Sequence, residues 1–400
     1  MVVEMGGTRR RLAAAVGFAL LAATAAYAAT GPVDVGEGEG AAAVPTTAAP
    51  TSEPRAFTLV FTGDVLSHRG VTRQAAANAV RAGGGYDYRP MFAAVRPMIS
   101  AADLAICHLE TPLSRDHSGL AGFPLFNVPF ELAGALADAG YDGCSTASNH
   151  ALDARADGVA ATLEQLDRAG VGHAGTARTA QEAGPRLYQV EGVTVGHLSY
   201  TFGLNGLTLP ADQPWLVNLI DADRILADAH TARAAGAEFV VVSLHWGVEY
   251  RWEPTAEQSV LAHQLLPSPD IDLIVGHHAH VVQPVERIGG EYVVYGLGNF
   301  LSNQSAGCCT AAAQDGVIVE AQVTEGAPRG TFAVEAMTFT PTRVDRSDFR
   351  IVPVALALDD PSLGSELRAE LDASWQRTTR VMGALAAPGV TPSIAPGPPP

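Results

Sequence analysis

The sequence predicts an α/β protein with antiparallel strands towards its C-terminus, and three observations lead to this class. Short apolar runs alternate with helical stretches along most of the chain, as in strand–helix–strand units. The apolar runs 317–323 and 332–339 come one after the other near the end, which favours an antiparallel pair. Hydrophobic residues make up 47% of the 400 residues and charged residues 17%, which indicates a globular protein with a sizeable core.

The predicted strands are short apolar runs bounded by glycine or polar residues. The run 239–244 is apolar at almost every position and predicts a strand that is buried on both faces. Residues 189–200 alternate between apolar and polar side chains around Glu191 and Gly192, which predicts a hairpin. The other predicted strands are 57–62, 104–107, 142–146, 273–275, 292–295, 317–323 and 332–339.

Helices are predicted where apolar residues recur with helical spacing. These stretches are 130–139, 156–169 and the amphipathic stretch 223–235. Gly170 marks the end of the second helix, because glycine readily adopts the left-handed conformation that ends many helices. Residues 361–387 are predicted to be a C-terminal helix that follows a folded domain at 57–360.

The two ends of the chain differ in composition from the domain. Residues 8–11 are Thr-Arg-Arg-Arg, and the apolar run 12–28 ends in Ala-Tyr-Ala, so 1–28 is predicted to be a signal peptide. The alternative is an uncleaved signal anchor, although the run is shorter than the roughly 20 residues of a membrane span. The protein is therefore predicted to be secreted or extracytoplasmic, and membrane-anchored if 1–28 is retained. Residues 29–56 read as a disordered Ala/Pro/Thr linker and 388–400 as a Pro-rich disordered tail.

The charge balance argues against nucleic acid as a partner. The chain has 25 basic and 42 acidic residues, which gives a formal net charge of −17. Nucleic-acid-binding proteins instead collect Lys and Arg on one face.

Four cysteines follow the N-terminal segment: Cys107, Cys144, Cys308 and Cys309. In an oxidising compartment they could form two disulfides, in three possible connectivities. Cys107 and Cys144 could equally be buried thiols near strand ends. A cysteine–zinc site is disfavoured because the chain has no Cys-x-x-Cys spacing.

Metal-competent side chains follow one predicted strand after another. In α/β sheets the loops that leave the carboxyl ends of the strands form the ligand site. Asp, Glu and His are ligands that suit borderline divalent cations, and they recur at five of these strand ends. The residues are Asp64, Glu110, His150 with Asn149, His245, and the cluster His277, His278 and His280. The conjunction predicts one metal site formed from distant parts of the chain.

The order of these motifs resembles the CapA/PgsA (poly-γ-glutamate capsule) family of the calcineurin-like metallophosphoesterase superfamily. The matching segments are 62–66, 109–113, 148–153, 245–250, 276–280 and 296–300. The resemblance implies a four-layer α/β/β/α sandwich of two mixed sheets flanked by helices.

The resemblance also implies two divalent metal ions, Mn, Fe or Zn. Their ligands would be Asp64 and His280 for one ion, Asn149, His245 and His278 for the other, and Glu110 as the bridge. His150 would be the catalytic general acid beside the leaving oxygen. Two such ions would lower the pKa of a bound water and neutralise charge on a phosphoester.

The chain departs from the family pattern near its first motifs. Leu66 stands where the wider superfamily has a His, and His68 is close enough in sequence to take its place. Arg69, in the same loop, could meet an anionic substrate. His108 stands two residues before Glu110, where this branch commonly has Asn. Further residues predicted behind the ligands or near the substrate are Glu249, His277 and Asn299.

The segment that contains Cys308 and Cys309 resembles a loop of exported members of this branch. The resemblance implies a disulfide-pinned loop over the edge of the site.

The sequence is compatible with two functional classes. The first is a metal-dependent phosphoesterase that acts on cell-envelope material. The second is a non-catalytic scaffold whose metals bind an anionic polymer such as poly-γ-glutamate, within a membrane-bound capsule synthesis complex. The partner would be a phosphoester substrate in the first case and an anionic envelope polymer in the second.

Overall fold

The computed structural model describes residues 53–80, 83–385 and 387–393. The predicted segment 1–28, most of the predicted linker 29–56 and the last residues of the predicted tail lie outside this part of the chain. Residues from Glu53 onward form one unit. Among the described residues, no helix has both the length and the apolar character needed to cross a membrane.

The strands and helices alternate through the first two thirds of the described chain. The strands are β1 (Ala56–Val65), β2 (Leu104–Leu109), β3 (Gly143–Ser145), β4 (Gly172–Ala174), β5 (Arg186–Val190), β6 (Val193–Thr201), β7 (Phe239–His245), β8 (Leu273–His277), β9 (Val285–Ile288), β10 (Glu291–Val294), β11 (Asn299–Leu301), β12 (Asp315–Glu325), β13 (Phe332–Asp345), β14 (Arg350–Pro353) and β15 (Val390–Pro392). The helices are α1 (Arg69–Ala79), α2 (Arg89–Phe92), α3 (Arg96–Ile99), α4 (Glu131–Ala139), α5 (Arg155–Ala169), α6 (Ala222–Ala234), α7 (Ala256–Leu265), α8 (Val354–Leu358) and α9 (Ser365–Met382).

Both sheets are mixed. The larger sheet has the order β14–β13–β12–β1–β2–β3–β4, with β11 paired to the end of β1 and β15 paired to β13. Its strands β1 to β4 are parallel, whereas the pairs β1–β12, β12–β13 and β13–β14 are antiparallel. The smaller sheet has the order β5–β6–β7–β8–β10–β9 and is parallel from β6 to β10.

Three apolar clusters show how the layers stack. Successive side chains of a strand point to opposite faces of its sheet. In β1, Phe57, Leu59 and Phe61 therefore pack between the sheets, where the Phe57 ring meets Phe239 of β7 at 5.9 Å. Val60 lies on the other face, against α1 to α5. The outer face of β7 packs on α6 and α7 through residues such as Val242. The predicted four-layer α/β/β/α arrangement is confirmed.

The C-terminal predictions need two corrections. Helix α9 fills most of 361–387, and its last residue, Met382, is buried in the cluster between the sheets, so the folded domain extends beyond 360. The tail predicted to be disordered from 388 is wrong for β15, which pairs with β13. Pro392 is compatible with that strand because proline is tolerated where a strand is paired on one side only.

Candidate metal centre

The predicted ligands converge at the carboxyl ends of β1, β2, β3, β7 and β8. Glycine allows the close approach that this requires. A Cβ atom on Gly63 would lie 2.2 Å from the carbonyl oxygen of Gly298, and the next residue, Asp64, donates its N–H to that same oxygen at 2.9 Å. The end of β1 can therefore lie directly against the chain entering β11, which fixes Asp64 at the centre of the site.

Asp64, Glu110 and His280 form the first group of ligands. Ligand atoms of these three buried residues lie within 4.8 Å of one another. His280 Nδ1 is 3.1 Å from Asp64 Oδ2, and His280 Nε2 is 3.7 Å from Glu110 Oε1. The structure thus brings together the residues predicted for one ion and for the bridge.

Asn149, His245 and His278 form the second group. His245 Nε2 lies 2.9 Å from Asn149 Oδ1, and the His245 and His278 rings are 4.7 Å apart. The exposed carboxylate of Glu249 also lies within 4.8 Å of ligand atoms of His278 and His280. Glu249 therefore lies beside the candidate ligands, although it was predicted only behind them or near the substrate.

A chain of hydrogen bonds sets the tautomer of His245. Ser145 donates its hydroxyl proton to the carbonyl of Cys107 at 3.3 Å, so its oxygen accepts from His108 Nδ1 at 2.7 Å. His108 Nε2 then accepts from His245 Nδ1 at 2.9 Å. This order leaves the lone pair of His245 Nε2 facing the Oδ1 acceptor of Asn149. Two acceptors face each other favourably when a cation lies between them.

His280 is oriented in the same way by Asn299. The amide nitrogen of Asn299 donates to Gln304 Oε1 at 3.0 Å and to the carbonyl of Ala313 at 2.8 Å, so its Oδ1 accepts from His280 Nδ1 at 3.0 Å. His280 Nε2 is therefore left as an acceptor, and it faces the carboxylate of Glu110. Asn299 was predicted only as a residue near the site, and the structure gives it this orienting contact.

Buried polar atoms without a partner support a metal at this position. Among the described residues, both carboxylate oxygens of Glu110 and Nδ1 of His278 have no hydrogen-bond partner. Burying unpaired charged groups costs several kcal/mol unless they are paired or bind a metal. Carboxylate, amide and imidazole donors suit a divalent transition-metal ion. The residues present therefore fit a divalent cation.

Burial and neighbouring charges shift the pKa values of the candidate ligands. Burial and the neighbouring His280 lower the pKa of His278 to about 3. Burial likewise holds the pKa of His245 well below its usual range. Burial lowers the pKa of His280 too, but Glu110 and Asp64 outweigh it and raise this pKa to about 9. Burial raises the pKa of Glu110 to about 8. Without a cation, a proton compensates the carboxylates, and metal binding would displace it.

The backbone at two of the histidines is in a conformation that residues other than glycine rarely adopt. His278 has φ of 87° and His280 has φ of 54°, in the left-handed region. Non-glycine residues in this region are strained and occur preferentially at functional sites. Here the two turns direct both imidazoles into the same cluster.

His150 lies beside the second ligand group and is oriented by Asp153. His150 Nδ1 donates to Asp153 Oδ2 at 2.7 Å, and that oxygen also accepts the Phe126 N–H at 2.7 Å. The Nε2 atom of His150 is then free to hold or give up a proton. Sequence analysis missed the role of Asp153, which is part of the motif segment 148–153, because an acidic residue there resembles an ordinary turn.

Phe202 was also missed by the sequence analysis. It directly follows β6 at the same edge of the smaller sheet and packs on His278 with a ring distance of 4.5 Å. Half of this side chain, 51%, is exposed, so it borders the entrance to the cluster. A phenylalanine at a strand end is not a metal ligand, so a pattern of Asp, Glu and His after strands does not include it.

Two residues predicted near the first motif are not brought into the cluster. His68 is close enough in sequence to replace the histidine missing at Leu66, but among the described residues it belongs to none of the groups able to hold a metal. Burial lowers its pKa to about 4, and its Nδ1 lies 3.1 Å from the carbonyl of Leu66. His108 and His277, from β2 and β8, lie close to Asp64 instead. Arg69 is exposed and lines a separate cavity with Asn127.

All four cysteines are paired. Cys107 and Cys144 lie opposite each other on β2 and β3 and form a disulfide, so the alternative of two buried thiols does not hold. Cys308 and Cys309 form a vicinal disulfide. Their loop reaches the metal centre through Gln304, whose Oε1 accepts a hydrogen bond from the amide nitrogen of Asn299 at 3.0 Å.

Substituting His278 tests the second ligand group. We expect His278→Ala to lower metal affinity by more than about 100-fold, beyond the loss typical of outer partners of a metal ligand, with the fold retained. Elemental analysis after dialysis measures the bound metal, and circular dichroism reports the fold. His263→Ala, at an exposed histidine of α7, is the matched control and should bind metal like the unmodified protein. Equal metal content in both variants would contradict the assignment of His278.

The comparisons with known proteins agree with the motif resemblance. The family model described as bacterial capsule synthesis protein PGA_cap matches residues 58–304. The PGA biosynthesis protein CapA of Bacillus subtilis is 29% identical over 260 residues, which cover 61% of this chain and 63% of that protein. The capsule biosynthesis protein CapA of Bacillus anthracis is 27% identical over 261 residues, which cover 63% and 61%. The chain thus spans about three-fifths of the length of these curated relatives.

Among solved structures, the calcineurin-like phosphoesterase YfkN of Bacillus subtilis is similar to this chain. The TM-score is 0.42 at 12% identity, and the alignment covers 81% of this chain and 98% of that one.

Proposed function

Because the chain belongs to the bacterial capsule synthesis protein family PGA_cap, we propose that it acts in the assembly or export of an anionic cell-envelope polymer by metal-dependent hydrolysis of a phosphoester. The polymer class is suggested by the names of the two CapA relatives, which refer to PGA and capsule biosynthesis. The reaction class is suggested by the residues of the metal centre.

The two ligand groups would hold two divalent ions, and their carboxylate, amide and imidazole donors suit Mn, Fe or Zn. Asp64 and His280 would hold one ion, Asn149, His245 and His278 would hold the other, and Glu110, which lies beside Asp64 and His280, would be the bridge. When bound, such ions supply a hydroxide nucleophile at neutral pH and stabilise negative charge on a phosphoryl group. The chain's own contribution is to fix the imidazole tautomers through Ser145, His108 and Asn299, which would leave the Nε2 lone pairs of His245 and His280 available to bind the ions.

The hydrogen bond from His150 to Asp153 is the single observation that favours hydrolysis over binding alone. An imidazole whose Nδ1–H is held by a buried carboxylate presents Nε2 in a fixed direction, as a proton donor to a leaving oxygen requires. A scaffold that only binds anions through metals has no use for this pair. The non-catalytic scaffold is therefore the alternative that the experiment must exclude.

We also propose that the domain is exported, and that it works outside the cytoplasm next to a membrane-bound synthesis complex. The N-terminal pattern at 1–28 supports export. The two cysteine pairs also support it, since disulfides persist mainly in oxidising compartments.

Hydrolysis of bis(4-nitrophenyl) phosphate, with and without a chelator, tests the proposed reaction. We expect metal-dependent turnover and a fall in kcat of about 10²- to 10⁴-fold in His150→Ala, with metal content unchanged. Asp153→Asn should lower kcat by about 10- to 100-fold, as expected for a partner that orients another group. Asp157→Asn, at an exposed position of α5, is the control for the second variant. Bound metal without turnover on any phosphoester would favour the scaffold, and loss of metal in His150→Ala would contradict a role as proton donor.

A further inference from the structure

A cavity of about 730 Å³ lies directly beside the metal centre, between the loop after β7 and helix α9. Its volume is in the range of about 300–1,000 Å³ that is usual for small-molecule sites. Tyr250 connects it to the metal centre, because this side chain lines the cavity and its ring is 6.1 Å from the ring of His280. Val281 and Val282, which follow His280 directly, form part of the same wall.

The cavity wall that contains Tyr250 is held in place by buried hydrogen bonds. Tyr250 has φ of 64°, and its N–H donates to the carbonyl of Ala279 at 2.7 Å. The fully buried Gln283 donates to the carbonyl of Arg251 at 2.9 Å. These contacts fix the loop against the chain segment that carries His280, so the cavity and the metal centre keep a constant separation.

Trp252 has an exposed aromatic face at this cavity. The side chain is 48% exposed although its loop is fixed. The neighbouring Trp246 is different, since it is buried and its Nε1–H donates to the carbonyl of Tyr295 at 3.0 Å. An exposed tryptophan on a rigid loop is a suitable surface for an apolar or planar group, because such a group removes apolar area from water without ordering the loop.

The charge on the α9 side of the cavity is positive. Arg377 is paired, since its Nε and Nη2 atoms donate to Asp315 at 3.0 and 2.7 Å. Arg380, one turn further along α9, also lines the cavity, but no ion pair or hydrogen bond of its guanidinium is found within the described residues. Arginine binds carboxylate and phosphate oxygens with charge-assisted hydrogen bonds. One uncompensated cation and an aromatic face therefore line the same space.

We propose that this cavity is a binding subsite for an organic anion, whose apolar or planar body packs on Trp252 and whose negative group is bound by Arg380. As a subsite for the part of a substrate beyond its phosphoester, this assignment rests on the proposed function. The residues on the α9 side lie outside the segment 58–304 matched by the family model, whereas Trp252 and Tyr250 lie within it, so the subsite combines the matched segment with the C-terminal part of the chain.

Binding of 8-anilinonaphthalene-1-sulfonate to the full chain, followed by its fluorescence, tests the subsite without requiring catalysis. We expect saturable binding with and without metal, and a dissociation constant raised about tenfold in Arg380→Gln, as for loss of one charge-assisted contact. Trp252→Ala should weaken binding of both this anion and the neutral analogue N-phenyl-1-naphthylamine, whereas Arg380→Gln should affect only the anion. Arg73→Gln, at an exposed arginine of α1, is the matched control and should bind like the unmodified protein. Unchanged affinity in both cavity variants would overturn the proposal.

A second measurement separates the subsite from the proposed reaction. If both are correct, the sulfonate competes with hydrolysis of bis(4-nitrophenyl) phosphate, and its inhibition constant rises in Arg380→Gln by the same factor as the dissociation constant. Hydrolysis that the sulfonate does not inhibit would overturn the subsite and leave the reaction intact. Arginine-dependent binding without any hydrolysis would support the subsite as an anion site and contradict the reaction.

Discussion

Replacing Glu110 by glutamine should abolish metal-dependent activity and should not destabilise the metal-free protein. Glu110 is 1% exposed, and neither of its carboxylate oxygens has a hydrogen-bond partner among the described residues. As the bridging carboxylate of the proposed two-metal site, it would supply the negative charge that holds both cations. Loss of the metals removes several kcal/mol of transition-state stabilisation. At about 1.4 kcal/mol per tenfold, this corresponds to a fall in kcat/KM of about 10³-fold or more.

The stability of the same variant gives a second readout, because we expect no loss of stability where we expect a loss of activity. Without metal, the buried Glu110 carboxylate has to be compensated by a bound proton, whereas glutamine buries a neutral amide of nearly the same shape and needs none. Thermal unfolding after chelation should therefore give an equal or higher Tm for Glu110→Gln. Added Mn²⁺ or Zn²⁺ should raise the Tm of the unmodified protein and leave the variant unchanged, since only a ligand that binds the folded state stabilises it.

Glu249→Gln is the matched control for this prediction. Glu249 also lies within 4.8 Å of ligand atoms of His278 and His280, but it is exposed. Solvent screens its charge, so the same substitution should change metal affinity and activity much less. Equal losses in the two variants would mean that proximity to the histidines, and not the bridging position, determines metal binding. Full metal occupancy in Glu110→Gln would rule out the bridge.

The convergence of the ligands could be predicted from the sequence because it follows from a rule of sheet geometry. Asp64, Asn149 and His245 each stand at or just after the end of a recognisable apolar run, and the carboxyl ends of parallel strands meet at one edge. The partners that orient these ligands depend instead on strand pairing. His108 lies opposite Ser145 because β2 pairs with β3, a register that the spacing of the two runs along the chain does not reveal.

Closeness in the sequence was misleading where two residues lie near each other along the chain but point to different places in the fold. His68 is two residues from Leu66, close enough in sequence to replace the missing histidine. However, the chain turns into α1 at Arg69, and His68 packs against Phe126 at a ring distance of 5.4 Å. Composition misled at the C-terminus in a similar way, because the many prolines after 388 obscured the short strand β15. Helix α7 was not predicted, although its capping box of Thr255 and Gln258 is a signal that the sequence contains.

Replacing Asp315 by alanine should have the largest effect on stability outside the metal centre. Asp315 is 2% exposed at the start of β12, and it accepts hydrogen bonds from Arg343 at 2.8 Å, from Ser374 at 2.7 Å and from Arg377 at 2.7 Å. These contacts join β12 and β13 to α9. Arg343 is itself 8% exposed, so removal of the carboxylate leaves a buried cation without its main partner. Breaking such a pair costs about 3–5 kcal/mol.

Glu370→Ala separates this expectation from a general effect of removing an acidic partner. Glu370 contacts the same Arg343 at 3.2 Å, but its side chain is 53% exposed. Exposed ion pairs contribute about 0–1 kcal/mol, so this variant should unfold in urea close to the unmodified protein. The combined Asp315→Ala and Arg343→Met variant should recover part of the lost stability, because the buried charge is then removed as well. If Asp315→Ala cost no more than Glu370→Ala, the contact of α9 with the sheet would rest on apolar packing alone, and the hydrogen bonds to Asp315 would contribute little to the fold.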